Sequence, residues 1–536
     1  MADIHQVSSS EDEFDLPPGT FKLIRDDESD EHGQRVVMLD PMPSNDPNEP
    51  LNWSTMRKSV NFTIVLAMTI IIFTALSIQA IFWQQMTVDL QVTYTELNRA
   101  MSVNFVGLAT GCIFFIPFAR KYGRRPVYIV STAFMLITSF WTSRMHSITE
   151  LYVTNLLQGL AGATNESIAE ITIADLFFVH HRGSMNAGTQ ATRQGWRMSY
   201  QTMGVFNAVL FLCFCFLYEE TKYVPLFTGR TSTTEEENEQ IEVSSQHKKK
   251  QQDKGDTTTA AQKIKSATKP SAGHHHLDLT IPCSSWTKRL ALITPTPEPI
   301  WPHFYRPFRV FIFPAVAFAA LQYAAGVVWL TILSNVLALT FPLPPYNFTP
   351  EQIGFMSVGP FIGNVFGAVY GGVLGDRSIL YFSRRNKGYY EPEMRLYILH
   401  LPAILMAGGL IMFGVTISRG MHWIYPSVAG ALFGFGLGSI GDAALVLVMD
   451  SYQDITGEAF TAVAFMRNAV SIGIPFAISP WIQSNGLQTM FIACGFISFG
   501  VTLTIIPMVI WGKDVRRGLA GRYRGIVEKH GRAGPR

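Results

Sequence analysis

Eleven blocks of mainly apolar residues, each about as long as a bilayer is thick, leave this chain few folds to choose from. They fall at about 59–82, 98–118, 126–143, 150–178, 199–218, 308–340, 353–374, 396–418, 422–447, 458–481 and 488–511. A hydrocarbon core of ~30 Å takes roughly 20 helical residues at 1.5 Å each. A helix satisfies its own backbone polar groups, which lipid cannot do. Charged residues make up 15% of the 536, where a soluble domain has about 25%. The expected fold class is an all-α polytopic membrane protein.

The blocks group as five and six around a different kind of sequence. Residues 222–306 contain TSTTEEENEQ, HKKKQQDK and TTTAAQK, polar runs of low complexity that read as a solvated, disordered central loop. The expected organisation is a tail (1–58), a first bundle (59–221), this loop, a second bundle (307–512) and a basic tail (513–536). No apolar signal-peptide core precedes residue 58, so the first block is expected to direct insertion itself.

Lysine and arginine set the orientation. The link RKYGRR (120–125) has four basic residues in six. The link after the seventh block holds Arg377, Arg384, Arg385, Lys387 and Arg395, and the last tail adds Lys513, Arg516, Arg517, Arg522 and Arg524. Residues 83–97 and 341–352 contain no Lys or Arg. Both tails and the central loop are therefore expected in the cytoplasm. Five crossings cannot satisfy this, since a chain that starts inside and returns inside must cross an even number of times. Either one crossing is missing from the first half or one block does not span. The suspect interval is 179–198, VHHRGSMNAGTQATRQGWRM, with two His and three Arg. At roughly 2.5–3.5 kcal/mol per central charge it cannot span alone.

Four stretches carry a family resemblance: DPNEPLNWSTMRK (46–58), ARKYGRRPVY (119–128), NESIAEITIADLFFVHHRG (165–183) and YEETKY (218–223). Together they resemble fungal members of the major facilitator superfamily, in the drug:proton-antiporter-like group, over roughly 46–225 and 300–512. The resemblance implies a major facilitator fold, two six-helix bundles related by a pseudo-twofold axis, here with 5 + 6 spans. It implies proton-coupled efflux of a drug-like compound or secondary metabolite by alternating access. The implied partners are the lipid bilayer, a small-molecule substrate and protons, for a monomer in the plasma membrane with no cofactor. Rival readings are an uptake permease of the same fold and a non-transporting membrane sensor. In the family, an inner HHRG-type sequence is followed by a fifth span, and the next outer loop ends in a QGWR-type sequence. Here HHRGSMN (180–186) runs into AGTQATRQGWR (187–197), so about one helix is missing between Asn186 and Ala187. Either the sequence reflects a faulty gene model or splice form, or the protein is a shortened variant with at best impaired transport.

Several residues are candidates for function. Glu166 and Glu170 are i,i+4 and share one helix face. Acids at membrane depth are costly and face a cavity or a partner, so either is a candidate for proton coupling; the alternative is a polar helix–helix contact. Gly123, Arg124 and Arg125 match the end of the family's loop pattern, with Arg120 in the place of its Asp, while Gly372, Asp376 and Arg377 match its start in the second half. A cytoplasmic gate is expected from Arg124, Arg125, Asp376 and Arg377, with Asp175 paired to Arg124 or Arg125; the alternative for the arginines is a simple positive-inside anchor.

Gln79, Asn104, Gln322, Tyr323, Asn364 and Arg467 are candidates to line a substrate cavity, against the simpler role of helix-packing polar groups. Asp450, Asp454 and Glu458 are expected at the inner surface, solvating a loop. Gly367/Gly371 and Gly430/Gly434 suggest close helix packing. Asn347 begins a glycosylation sequon in a loop expected outside. The net charge of +2 gives no support for nucleic-acid binding, and no metal-ligand spacing, P-loop or nucleophile–base pattern occurs. An enzyme or ATP-driven pump is not expected.

Overall fold

The structure is a computed structural model. It describes residues 17–22, 24–29, 35–37, 48, 50–176, 196–222, 285–296 and 299–533, with side chains left undescribed chiefly in 21–37, 165–176 and 529–533. Before the central loop come α1 (Thr55–Ile81), α2 (Trp83–Leu90), α3 (Tyr94–Tyr122), α4 (Arg124–Ser143), α5 (Ile148–Leu176) and α6 (Trp196–Phe216). After it come α7 (Trp286–Arg289), α8 (Trp301–Arg309), α9 (Pro314–Thr340), α10 (Pro350–Met356), α11 (Val358–Val369), α12 (Gly375–Arg385), α13 (His400–Ser418), α14 (Ile424–Ser451), α15 (Thr456–Thr502) and α16 (Ile505–Ala533). A five-residue π turn, Tyr370–Leu374, joins α11 to α12 into one long span.

Among the described residues nine segments are long and apolar enough to cross a membrane. One of them, 453–528, divides at Gly486, whose φ of 76° and ψ of 158° are not helical. The 29 residues of α5 add another span. Nine, plus one for the division and one for α5, makes eleven: five before the loop and six after it, as expected from the sequence. Local signals place the ends. Thr93 with Glu96, and Thr349 with Gln352, form capping boxes that satisfy the first N–H groups of α3 and α10.

The parity conflict resolves at one place. Arg57, at the start of α1, donates to the Glu219 carboxylate just past the end of α6 (3.0 and 2.9 Å from Nε). Glu220 accepts from the backbone N–H groups of Arg124 and Arg125 at the α3–α4 turn (both 3.0 Å). These ends share the face that carries the basic links. Trp196, at the start of α6, donates from Nε1 to Asp89 (2.8 Å), and Arg197 donates to the carbonyls of Ser143 and Met145 (both 3.2 Å), on the opposite face. Helix α5 starts on that opposite face, and at about 1.5 Å per residue its 29 residues reach the basic one. The ends flanking 177–195 thus lie on opposite faces. The missing crossing falls between α5 and α6, and every block read as a span is one. Residues 177–195 themselves lie outside the described residues.

Lipid offers no hydrophobic drive for helix association, so close backbone approach has to supply it. In the second bundle Gly359, Gly363 and Gly367 of the α11 span lie against the backbone of Ser427, Ala431 and Phe435 on α14. Both rows repeat every four residues. The sequence reading of Gly367, Gly371, Gly430 and Gly434 as packing positions agrees with this contact. In the first bundle Gly107 and Gly111 on α3 meet Leu156, Leu160 and Ala163 on α5.

Residues 17–22, part of the loop and the basic tail through Ala533 are more ordered than their composition suggests. Residues 285–296 and 299–306, within the stretch read as disordered loop, hold α7 and most of α8. The segment is pinned by backbone bonds from Thr294 to Tyr122 (2.8 Å) and Thr296 to Lys121 (3.0 Å). Helix α8 exposes Trp301, Tyr305 and Phe308 beside Arg306 and Arg309, the residue types of a bilayer interface. The basic tail is helical through Ala533. Two of its cations, Lys513 and Arg516, pair with Glu391 and Glu393.

Candidate functional site: a polar cavity and the latch beneath it

A cavity of about 860 Å³, including the open space at its mouth, lies between the two bundles. Helices α1 and α2 give it Gln79 and Trp83, α3 gives Asn104 and Phe105, and α5 gives Asn155. Helix α9 gives Leu330 and Thr331, and α15 gives Arg467 and Asn468. Polar groups recur at single points in an otherwise apolar wall, as ligand sites require. Residue 79 lies 24 residues into α1, so the cavity occupies the half of the molecule away from the basic face.

Three of the expected cavity residues, Gln79, Asn104 and Arg467, line it. Asn104 is also a tie, since its Nδ2 donates to the Asn155 carbonyl (3.0 Å) and holds α3 to α5. The Gln79 Nε2 and Trp83 Nε1 donors are buried and find no hydrogen-bond partner among the described residues. Arg467, 3% exposed, shares the Asn468 side-chain oxygen (3.3 and 3.2 Å) and lies over the Tyr323 ring at 5.1 Å. Among the described lining residues it carries the one formal charge. Tyr323 acts through this contact rather than by lining the space.

Two other candidates belong to packing. Gln322 donates to the Val501 carbonyl (2.9 Å) and the Thr504 hydroxyl (2.8 Å), tying α9 to the turn before α16. Asn364 sits where α11 meets Gly438 of α14. Sequence reasoning passed over Trp83, Thr331 and Asn468, whose types are common on any helix. The side chains of Glu166, Glu170 and Asp175 lie outside the described residues. Asn347 is exposed in the loop before α10, away from the basic face.

Below the cavity, toward the basic face, Cys112 accepts a hydrogen bond from Asn468 Nδ2 (3.7 Å) between α3 and α15. Two turns further, Arg120 grips Glu458 with both guanidinium nitrogens, Nη2 at 2.8 Å from Oε2. This fork joins the bundles directly. Glu458 is 2% exposed and does not solvate a loop. The signal for it lay in Arg120, a cation where the family pattern has an acid. Asp450 is likewise buried, accepting from the Tyr390 hydroxyl and lying 3.9 Å from Arg395. Asp454 alone of the three acids fits the surface reading, accepting from Tyr523 at 2.9 Å.

The expected gate residues are placed differently. Arg125 donates to the carbonyls of Leu290 and Cys215 (2.6 Å for the latter), bracing the linker against the end of α6. Arg124 contributes its backbone N–H to Glu220. Gly123 precedes them with φ 110°, and a Cβ there would lie 2.3 Å from the Glu220 carboxylate, so glycine is required. Asp376 pairs with Arg395 (3.1 Å), while Arg377 is exposed. The described parts of three stretches that carry the family resemblance, 50–58, 119–128 and 218–222, thus converge on one basic-face cluster. Burial first, and the Asp450 carboxylate second, push the Tyr390 hydroxyl well above its usual range, so it stays a donor.

The fold finds its counterpart in known proteins. The family model of the Major Facilitator Superfamily matches residues 65–193 and 187–475, two segments that meet where the crossing is missing. An uncharacterized MFS-type transporter of Schizosaccharomyces pombe is 27% identical over 94% of this chain and 94% of its own length. Protein HOL1 of Saccharomyces cerevisiae is 26% identical over 95% of this chain and 96% of its own length. Multidrug transporter TPO1_2 of Candida glabrata is 22% identical over 88% and 78%. Among solved structures, the proton:xylose symporter XylE superposes with a TM-score of 0.54 at 11% identity, over 85% of this chain and 97% of that one. The chain belongs to the Major Facilitator Superfamily. It is a multi-pass membrane protein built as a transporter.

Proposed function

We propose that this chain has the design of a proton-coupled exporter of small molecules, working by alternating access. The observation that carries the reading is the stacking of a polar inter-bundle cavity above a closed inter-bundle latch. With the basic face in the cytoplasm, this is the arrangement of a carrier closed inside. The substrate sits against Gln79, Asn104, Asn155 and Arg467, and breaking Arg120–Glu458 lets the bundles rock. Glu166 or Glu170, on the helix that contributes Asn155, takes the proton. A multidrug transporter among the relatives favours export and drug-like cargo. The plasma membrane is its expected location and a monomer its working form.

The position of the missing crossing favours a second reading, a chain whose transport is defective as written. Both readings are tested in sealed vesicles under a pH gradient, with fluorescent drug-like substrates. The expected result is weak flux for the chain as written. An apolar helix of about 20 residues inserted between Asn186 and Ala187 should raise it roughly tenfold or more, about 1.4 kcal/mol in the barrier. In the restored chain Arg467→Gln should cut flux by a similar factor, and a protonophore should abolish uphill movement. Flux indifferent to the gradient in the restored chain would sink the proton-coupled reading. Equal flux with and without the insert would sink the defective one.

A further inference from the structure

A short segment of the N-terminal tail is docked on the second bundle. Residues 17–22 lie on the basic end of the C-terminal bundle, held by three unlike contacts. Gly19, at φ 78°, packs so closely that a Cβ would lie 2.3 Å from the Asp450 carbonyl and 2.8 Å from the Ser451 Cα. Arg516, 1% exposed, spends Nε and Nη2 on Glu393 (2.8 and 2.6 Å) and turns Nη1 to the Pro18 carbonyl and the Thr20 hydroxyl (3.2 Å for the latter). Strand β1 (Phe21–Lys22) then pairs antiparallel with β2 (Tyr389–Tyr390), Phe21 opposite Tyr390.

What it touches matters more than that it is held. Asp450 and Ser451 end α14, and Glu458 follows within the first turn of α15. Tyr390, the strand partner of the segment, donates to the Asp450 side chain. The docked peptide therefore buttresses the α14–α15 corner that presents Glu458 to Arg120. A bound segment shifts a conformational equilibrium only by its difference in affinity for the two states. Here the difference arises because the corner is both the floor of the docking groove and the mount of the latch.

We propose that residues 17–22 form an intramolecular strap that holds the basic-face latch shut, and that undocking of the strap precedes opening. By linkage, whatever pulls the strap away favours the open state, and opening weakens the strap. The proposal rests on the alternating-access reading, but its test needs no substrate.

Cys112 lies between the latch and the cavity, so its reaction with an impermeant maleimide added at the basic face reports opening. The full-length chain, with Cys213, Cys215, Cys283 and Cys494 replaced by serine, is compared with three changes made in it. Gly19→Val blocks docking by sterics, deletion of residues 1–22 removes the strap, and Glu458→Gln removes the latch. The expected result is labelling faster by about fivefold or more, roughly 1 kcal/mol in the equilibrium, in both strap variants and in Glu458→Gln. A synthetic peptide of residues 14–24 should slow the deletion variant again. Fast labelling in Glu458→Gln with unchanged labelling in both strap variants overturns the strap while leaving alternating access standing. Absence of labelling in all three overturns the alternating-access reading, and the strap with it.

Discussion

Replacing Gly363 by leucine is expected to leave almost no folded C-terminal bundle. The Cβ alone would lie 1.9 Å from the Ala431 carbonyl oxygen and 2.7 Å from its carbon, both backbone atoms of a facing helix. A flexible side chain could move aside, but a helix backbone cannot. The helices must part, and the neighbouring contacts at Gly359 and Gly367, spaced four residues either way, part with them. Overpacking in a tight core costs about 1–3 kcal/mol and sometimes more. Here the whole row is forfeited, where association rests on close packing, so about 3 kcal/mol or more is expected. Gly408→Leu is the control, since nothing lies within 4 Å of a Cβ there. Size-exclusion profiles of fluorescent fusions after mild heating measure both. A monodisperse peak for Gly363→Leu equal to that of Gly408→Leu would contradict the packing account.

The second large effect is expected at the end of the chain. Arg516→Met should destabilise the protein by about 3–5 kcal/mol, because it strands a buried carboxylate. Glu393 is 2% exposed and takes two hydrogen bonds from Arg516. Most of the cost is desolvation of the acid left behind, not loss of attraction. The double variant Arg516→Met/Glu393→Met should therefore recover most of the loss, since two apolar side chains of similar volume suit the site. Thermal melts of the two singles and the double form the cycle. A double variant as unstable as the sum of the singles would show that the pair acts through separate contacts.

How legible was this molecule in its sequence? The spans were almost fully readable, because each helix must carry its own apolar length whatever it packs against. Gly367, Gly371, Gly430 and Gly434 could be suspected from small-residue spacing, but not matched to their partners, and Gly107 and Gly363 were passed over. The cavity was half readable. Gln79, Asn104 and Arg467 stand out as polar groups in apolar blocks, yet Gln322 and Asn364 stand out equally and serve packing. Period alone does not say which neighbour a helix face meets. The gate was the least readable part. Arg124, Arg125 and Arg377 were visible as charges, but the latch uses Arg120 with Glu458, 338 residues away. Asp376, one of the expected gate residues, pairs instead with Arg395 within the second bundle.

By itself, then, the sequence determined what lipid and charge enforce locally: eleven membrane-length helices, a five-and-six division, the basic face, and an odd count that required a missing crossing. Those follow from hydropathy and desolvation, which act residue by residue along the chain. Tertiary structure alone decided that the chain ends flanking this junction lie on opposite faces, which acids are buried partners and which are solvated, and that residues 17–22 dock on the second bundle. These depend on which surfaces meet across hundreds of residues, and on contacts such as Gly19 on Asp450 that leave no periodic trace in either segment.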